Sequence, residues 1–139
     1  MKFLDTNVFL RFLVEPATDD DRRKQAACLA LFNDVAAGAT QITTSEAILH
    51  ELLYVLCSSR QYRLSHEDAV ARLRPILALR GFHLSQKRTL LHAVELFEAY
   101  AYLDFADAVA ITRSQEGGDE LLSYDRDFDK VPGAERHEP

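Results

Sequence analysis

Residues 2–14 read Lys-Phe-Leu-Asp-Thr-Asn-Val-Phe-Leu-Arg-Phe-Leu-Val, and this stretch decides the fold. Its first three residues are typical of a short apolar strand, and the apolar residues from Val8 to Val14 have helical character. The polar residues Asp5, Thr6 and Asn7 form the turn between them. A strand that leads through a polar turn directly into a helix is the unit from which α/β domains are built.

The rest of the chain continues this alternation. Capping residues and apolar spacing predict helices over residues 19–38, 45–59, 65–75, 86–102 and 104–115. Short strands are predicted over residues 39–43, 81–84 and 120–124, with a single turn at 125–129 and a weak edge strand in 134–139. Strands that alternate with helices indicate a three-layer α/β/α domain with a short, mainly parallel sheet of four to five strands. We find no internal repeat or linker and predict one domain over residues 1–139.

Composition excludes several classes of protein. The chain has 139 residues, of which 47% are apolar, and no run of them approaches the roughly 18 to 20 apolar residues of a membrane span. We therefore expect no membrane association. Cys28 and Cys57 lack the spacing of a zinc or redox motif, so we expect core thiols in the reducing cytoplasm. A net charge of -6 counts against broad electrostatic binding to nucleic acid, but not against a nuclease whose site gathers carboxylates for a divalent metal.

Two predicted strands end in an aspartate. Asp5 follows Phe3-Leu4, and Asp125 follows Ser123-Tyr124. Ligands of open α/β sheets bind beyond the carboxyl ends of the strands, so these two carboxylates are expected to face one crevice. Either one alone could also be a turn former or a helix cap.

Two further acids lie on apolar helices. Glu51 is flanked by apolar residues on one helix face, so we expect its carboxylate to meet a cation, unless it reaches solvent from the edge of that face. His50 points elsewhere and is expected to be a surface histidine. Asp107 follows Asp104 by three residues, which fits either a metal ligand or an acid of the first helical turn capped by Asp104.

Four acids of this kind fit an oxygen-lined site for Mg²⁺ or Mn²⁺. Zinc is disfavoured because no cysteine or histidine belongs to the set, and no histidine has the setting of a nucleophile elbow. An EF-hand opening at Asp125 fails because Lys130 and Arg136 occupy the positions of its glycine and glutamate.

In their order along the chain, these residues resemble the PIN-domain ribonucleases, and most of all the VapC-type toxins of toxin-antitoxin pairs. The resemblance rests on four segments: Phe-Leu-Asp-Thr-Asn at the start, His-Glu-Leu-Leu-Tyr-Val-Leu in mid-chain, then Asp-Phe-Ala-Asp-Ala-Val and Leu-Ser-Tyr-Asp-Arg-Asp-Phe-Asp. It implies that the catalytic, metal-binding acids are Asp5, Glu51, Asp107 and Asp125. It also implies that the supporting residues are Thr6, Asn7 and Ser123, with Asp104 as a nearby acid at a variable position.

The function that the resemblance implies is that of a Mg²⁺- or Mn²⁺-dependent endoribonuclease toxin. It would hydrolyse RNA phosphodiester bonds to 3'-hydroxyl and 5'-phosphate ends, form a homodimer and be neutralised by a cognate antitoxin. The alternatives are a catalytically silent scaffold that binds RNA or protein, and a metal-dependent nuclease that acts on DNA.

Candidate RNA-binding residues lie close to the acids in the sequence. Arg60, Tyr62 and Arg63 follow the helix of Glu51 and interleave two guanidinium groups with an aromatic ring that could stack on a base. A solvated helix end explains the same residues equally well. Arg11 and Arg126, next to the first and last acids, are further candidates.

Overall fold

In the computed structural model, which describes residues 1–139, each of the first three short strands is followed by two helices. The strands are β1 (Lys2–Phe3), β2 (Ile42–Thr43), β3 (Phe82–His83), β4 (Leu121–Leu122) and β5 (Arg136–His137). The helices are α1 (Thr6–Leu13), α2 (Asp19–Ala36), α3 (Glu46–Cys57), α4 (His66–Leu77), α5 (Lys87–Ala99) and α6 (Phe105–Gly117). A 3₁₀ turn spans Arg126–Lys130. None of the helices combines the length and the apolar character needed to cross a membrane.

The strands form two small parallel sheets. In the first, β2 lies between β1 and β3, with Ile42 opposite both Lys2 and Phe82. In the second, β4 pairs with β5, so the predicted edge strand at the end of the chain is present. The predicted α/β class with a short parallel sheet is therefore confirmed, although the five strands are divided between two sheets and each pairs over only two residues.

Helix starts follow from local hydrogen bonding. The side chains of Thr18, Ser45, Ser65 and Asp104 each accept a hydrogen bond from the backbone N–H three residues later. These bonds satisfy donors that the first turn of a helix leaves without partners. Pro75 lies inside the last turn of α4, which ends two residues later at Leu77.

The core consists of two apolar clusters. The larger one holds 22 buried residues from Leu4 to α6 and includes Phe9, Ile42 and Phe82, so it joins the first sheet to the helices. The smaller one contains Leu103, Ile111, Phe128 and Val131 and lies under the last 3₁₀ turn.

Gly81, just before β3, shows how tightly the first sheet is packed. A Cβ atom at this position would collide with the backbone oxygens of Thr40 and Val35. Its own N–H donates to Val35 O, and its carbonyl accepts from the N–H of Ile42 at 2.8 Å. Only glycine allows the chain to pass this close to the end of α2.

Candidate active site

Asp5 occupies the junction between β1 and α1. It is the N-cap residue of α1, yet its side chain makes no capping hydrogen bond. The preceding Leu4 is 3% exposed, and its carbonyl oxygen accepts a 2.8 Å hydrogen bond from the buried Thr44 hydroxyl. Rigid backbone therefore holds an exposed carboxylate that makes no hydrogen bond or ion pair within the protein.

Glu51 lies on α3 and is linked to the same junction. The hydroxyl of Thr6, which is 6% exposed, donates a 2.5 Å hydrogen bond to Glu51 Oε2. Glu51 is exposed, as expected of a carboxylate that reaches solvent from the edge of an apolar face, and its partner within the protein is this hydroxyl. The expected contact with a cation stays a prediction for a bound metal. Since Thr6 follows Asp5 directly, the bond ties α3 to the strand end that carries the first acid.

Asp107 forms a reciprocal capping pair with Asp104 at the start of α6. Asp104 Oδ1 accepts from the N–H of Asp107 at 2.7 Å, and Asp107 Oδ2 accepts from the N–H of Asp104 at 3.2 Å. Partial burial raises the pKa of the Asp107 carboxyl, and the nearby carboxylates of Asp104 and Asp125 raise it further, against the opposing backbone hydrogen bond. The capping interpretation of Asp107 is thus correct, and the same side chain also interacts electrostatically with Asp125.

Asp125 precedes the 3₁₀ turn and is held at both ends. Its N–H donates to Ser123 Oγ at 3.0 Å, and its Oδ1 accepts from the N–H of Asp127 at 2.9 Å. Asp127 itself pairs with Lys130 at 2.5 Å, as expected of a turn residue. Ser123 therefore positions the backbone from which the Asp125 carboxylate projects.

Helix α3, which carries Glu51, packs against helix α6, which carries Asp107. Glu46 at the start of α3 pairs with Arg113 near the end of α6 at 2.8 Å, whereas Tyr54 near the end of α3 shares a cavity with Asp104 at the start of α6. The helices therefore run in opposite directions. At 1.5 Å of rise per residue, Glu51 lies about 7.5 Å along α3 from the ion pair, and Asp107 lies about 9 Å along α6 from it. The two acids are therefore at a similar height along the pair of helices.

None of the four acids has a cationic partner. The ion pairs of the chain neutralise other carboxylates, such as Asp21 with Arg11 and Asp129 with Arg136. No three acidic, histidine or cysteine side chains are arranged closely enough to enclose a metal ion without adjustment. The donor chemistry nevertheless fits Mg²⁺ or Mn²⁺, because the set consists of carboxylate oxygens that form no ion pair within the protein.

A cavity of about 380 Å³ adjoins the Asp5 side of the site. Its lining includes Asn7, Arg11 and Tyr62, which were predicted separately as supporting and RNA-binding residues. Arg11 also pairs with Asp21, whose pKa it lowers, so its guanidinium is fixed at the wall of this cavity.

The remaining candidate cations do not line this cavity. Arg60 and Arg63 are exposed in the loop after α3, where Arg63 Nε donates to Ser59 O at 2.8 Å. Arg126 is exposed at the first position of the 3₁₀ turn, directly after the fourth acid.

His50 is a feature that sequence reasoning missed. The expectation of a surface histidine is wrong, since His50 is half-buried and its Nδ1 is buried without a hydrogen-bond partner. The ring lines a second cavity of about 250 Å³ together with Tyr54, Tyr102 and Asp104. The i,i+4 spacing of His50 and Tyr54 is the one local signal for this arrangement.

Comparison with known proteins supports the sequence resemblance at the level of the family. The model of the PIN domain family matches residues 2–134. PIN domains are generally metal-dependent nucleases and usually use Mg²⁺ or Mn²⁺. A search of curated proteins finds no match to the chain.

Proposed function

Because the chain belongs to the PIN domain family, we propose that it is a Mg²⁺- or Mn²⁺-dependent endoribonuclease. The observation that carries the proposal is a set of carboxylates without cationic partners at the strand ends and on the facing helices α3 and α6. The residues proposed to hold the metal are Asp5, Glu51, Asp107 and Asp125. When bound, the metal would neutralise phosphoryl oxygens and activate water for attack on phosphorus.

The side chains divide the remaining work. Thr6 occupies Oε2 of Glu51, which leaves Oε1 to accept a proton from the attacking water. Asp104 holds the carboxylate of Asp107 at the start of α6 through their reciprocal capping pair. Ser123 and the adjoining turn keep the fourth carboxylate in place.

RNA is the proposed substrate because aromatic and basic groups flank the acids. Tyr62 and Arg11 line the cavity beside Asn7, and Arg60 and Arg63 extend the basic surface along the same loop. Unpaired RNA bases stack on such rings, and guanidinium groups bind the phosphates between them. Arg126 adds a further cation beside the last acid.

The more specific part of the proposal is a VapC-type toxin that acts in the cytoplasm. It rests on the order and spacing of the four sequence segments described above. A homodimer and a cognate antitoxin are proposed as its protein partners, and exposed apolar side chains offer surfaces for them. Among them are Tyr124 at 72% exposure, Phe3 at 63% and Leu122 at 54%.

The first experiment is cleavage of total RNA by the purified chain with Mg²⁺, with Mn²⁺ and with EDTA. We expect fragments with 5'-phosphate ends only when metal is present, and none from Asp5→Asn. Asp34→Asn is the matched control, because Asp34 is an exposed acid of α2 without a hydrogen-bonded side chain. Metal-independent RNA binding without cleavage would support a scaffold that binds RNA. Preferential cleavage of DNA would support a metal-dependent nuclease that acts on DNA.

The toxin role has its own test. Expression of the chain in a bacterium is expected to arrest growth, whereas expression of Asp5→Asn at the same level is not. Arrest by both proteins would show that cleavage is not the cause. Sedimentation of the purified chain tests the homodimer, since a monomer has a mass of 15.7 kDa.

A further inference from the structure

The second cavity lies directly beside the proposed metal site. It is formed by the later part of α3 and the loop between α5 and α6, and we call it the aromatic cavity after Tyr54 and Tyr102. Eight of its twelve lining residues are hydrophobic. Asp104 belongs to its wall and also to the capping pair with Asp107, so the cavity and the metal site share a border.

The aromatic rings of this cavity face solvent. Tyr54 is 64% exposed and Tyr102 is 40% exposed, although both are large apolar side chains. Tyr54 follows Glu51 by three residues, so it lies on the same face of α3 one turn further along. A ligand held over Glu51 would therefore meet the Tyr54 ring next.

Polar groups distinguish the aromatic cavity from a purely apolar groove. His50, one turn before Tyr54, has the one buried side-chain nitrogen or oxygen in the chain that lacks a hydrogen-bond partner. Next to the cavity, Lys130 Nζ pairs with Asp127 and lies 5.1 Å from the centroid of the Tyr102 ring. An aromatic ring can stack on the face of a base, an imidazole can lie at the edge of the base, and a cation can attract the phosphate.

We propose that the aromatic cavity is a base-binding subsite that takes one unstacked nucleobase of an RNA strand lying across the metal site. The base would stack on Tyr54 and place its edge beside the His50 ring, with its phosphate near Lys130. This subsite rests on the proposed ribonuclease function and adds to it a place where the enzyme distinguishes one base from another. A second copy of the chain would cover the rings equally well but gives no role to the unpaired imidazole or to the border with Asp104.

The test measures binding and stacking apart from cleavage. Asp5→Asn is titrated in Mg²⁺ with short single-stranded RNA carrying one 2-aminopurine, whose fluorescence falls when it stacks on an aromatic ring. Adding Tyr54→Ala is expected to weaken binding about 5-fold or more and to remove the quenching, because a base stacked on an aromatic ring contributes roughly 1–3 kcal/mol. Tyr54→Phe keeps the ring and should restore both signals, and Leu29→Ala, exposed on α2, should change neither.

Equal affinity and equal quenching in the Ala and Phe variants would overturn the subsite, even if the wild-type chain cuts RNA. Conversion of a dimer to a monomer by Tyr54→Ala, with RNA binding intact, would also overturn it in favour of a contact between copies. Tyr54-dependent quenching in a chain that cuts no RNA with Mg²⁺ or Mn²⁺ would support the subsite while removing the nuclease proposal. Metal-dependent cleavage that changes its base preference in Tyr54→Ala would support both.

Discussion

The bond from the Thr6 hydroxyl to Glu51 Oε2 allows a sharp prediction. Thr6→Val keeps the branched shape of a side chain that is 6% exposed and removes only the donor. A hydrogen bond to a charged group contributes about 1.5–3 kcal/mol, and the low end applies here because Glu51 is exposed. Without this bond the oriented conformation of Glu51 loses its advantage over other rotamers, and 1.4 kcal/mol corresponds to a factor of ten in population. We therefore expect the rate of RNA cleavage to fall by up to about tenfold.

The assay compares initial cleavage rates over a range of Mg²⁺ concentrations, with thermal unfolding measured in parallel. Thr112→Val is the matched control, because Thr112 is also buried, at 5% exposure, but its hydroxyl donates to Ala108 O within α6. We expect the control to keep the wild-type rate and both variants to stay folded. A folded Thr6→Val protein with the rate and the Mg²⁺ requirement of the wild type would refute the idea that Thr6 orients Glu51.

Three further predictions concern packing, pH and salt. Gly81→Ala should lower the free energy of unfolding, measured in urea, by about 3 kcal/mol, because the added Cβ meets backbone that cannot move aside. An unchanged midpoint of urea unfolding would contradict the close contact of Gly81 with Thr40 and Val35. Hydrogen bonds from Arg136 lower the pKa of Asp129 below 3.8, so the pair stabilises the folded chain above about pH 4 and ceases to do so as the pH falls through the lowered pKa. Asp129→Asn should therefore be less stable than wild type at pH 7 but not at pH 2, and an equal difference at both pH values would argue against the pair. Arg60→Ala combined with Arg63→Ala should make RNA binding less dependent on salt. If each arginine contacts one phosphate, the slope of log affinity against log salt concentration should become shallower by about 1.4. An unchanged slope would show that neither arginine contacts the RNA.

Features set by neighbouring residues could be predicted from the sequence. Thr18, Ser45 and Asp104 cap helices because the donor and acceptor are three residues apart, a distance at which sequence alone determines the contact. The alternation of strands and helices followed in the same way from apolar patterns and turn residues. The length of each strand did not, because a parallel strand is only as long as its contact with a partner some 40 residues away.

The surroundings of individual site residues depended on distant parts of the chain. Glu51 accepts a hydrogen bond from a hydroxyl 45 residues earlier, a partner that the sequence of its own helix does not indicate. His50 was assigned to the surface because its own helix gives no sign of the α5–α6 loop, which carries Tyr102 to its side. Local spacing indicated which acids to consider, whereas tertiary packing determined what each of them meets.

The small apolar cluster under the 3₁₀ turn makes the last acid of the site separable from the rest of the molecule. The segment that carries Asp125 is anchored by Phe128 and Val131, while most of the core lies in the other cluster. Segments with few buried contacts open by themselves, at a lower free energy than global unfolding. On gentle warming the C-terminal segment would then exchange its amide hydrogens early, and cleavage would decline while the helical signal of the chain is still intact.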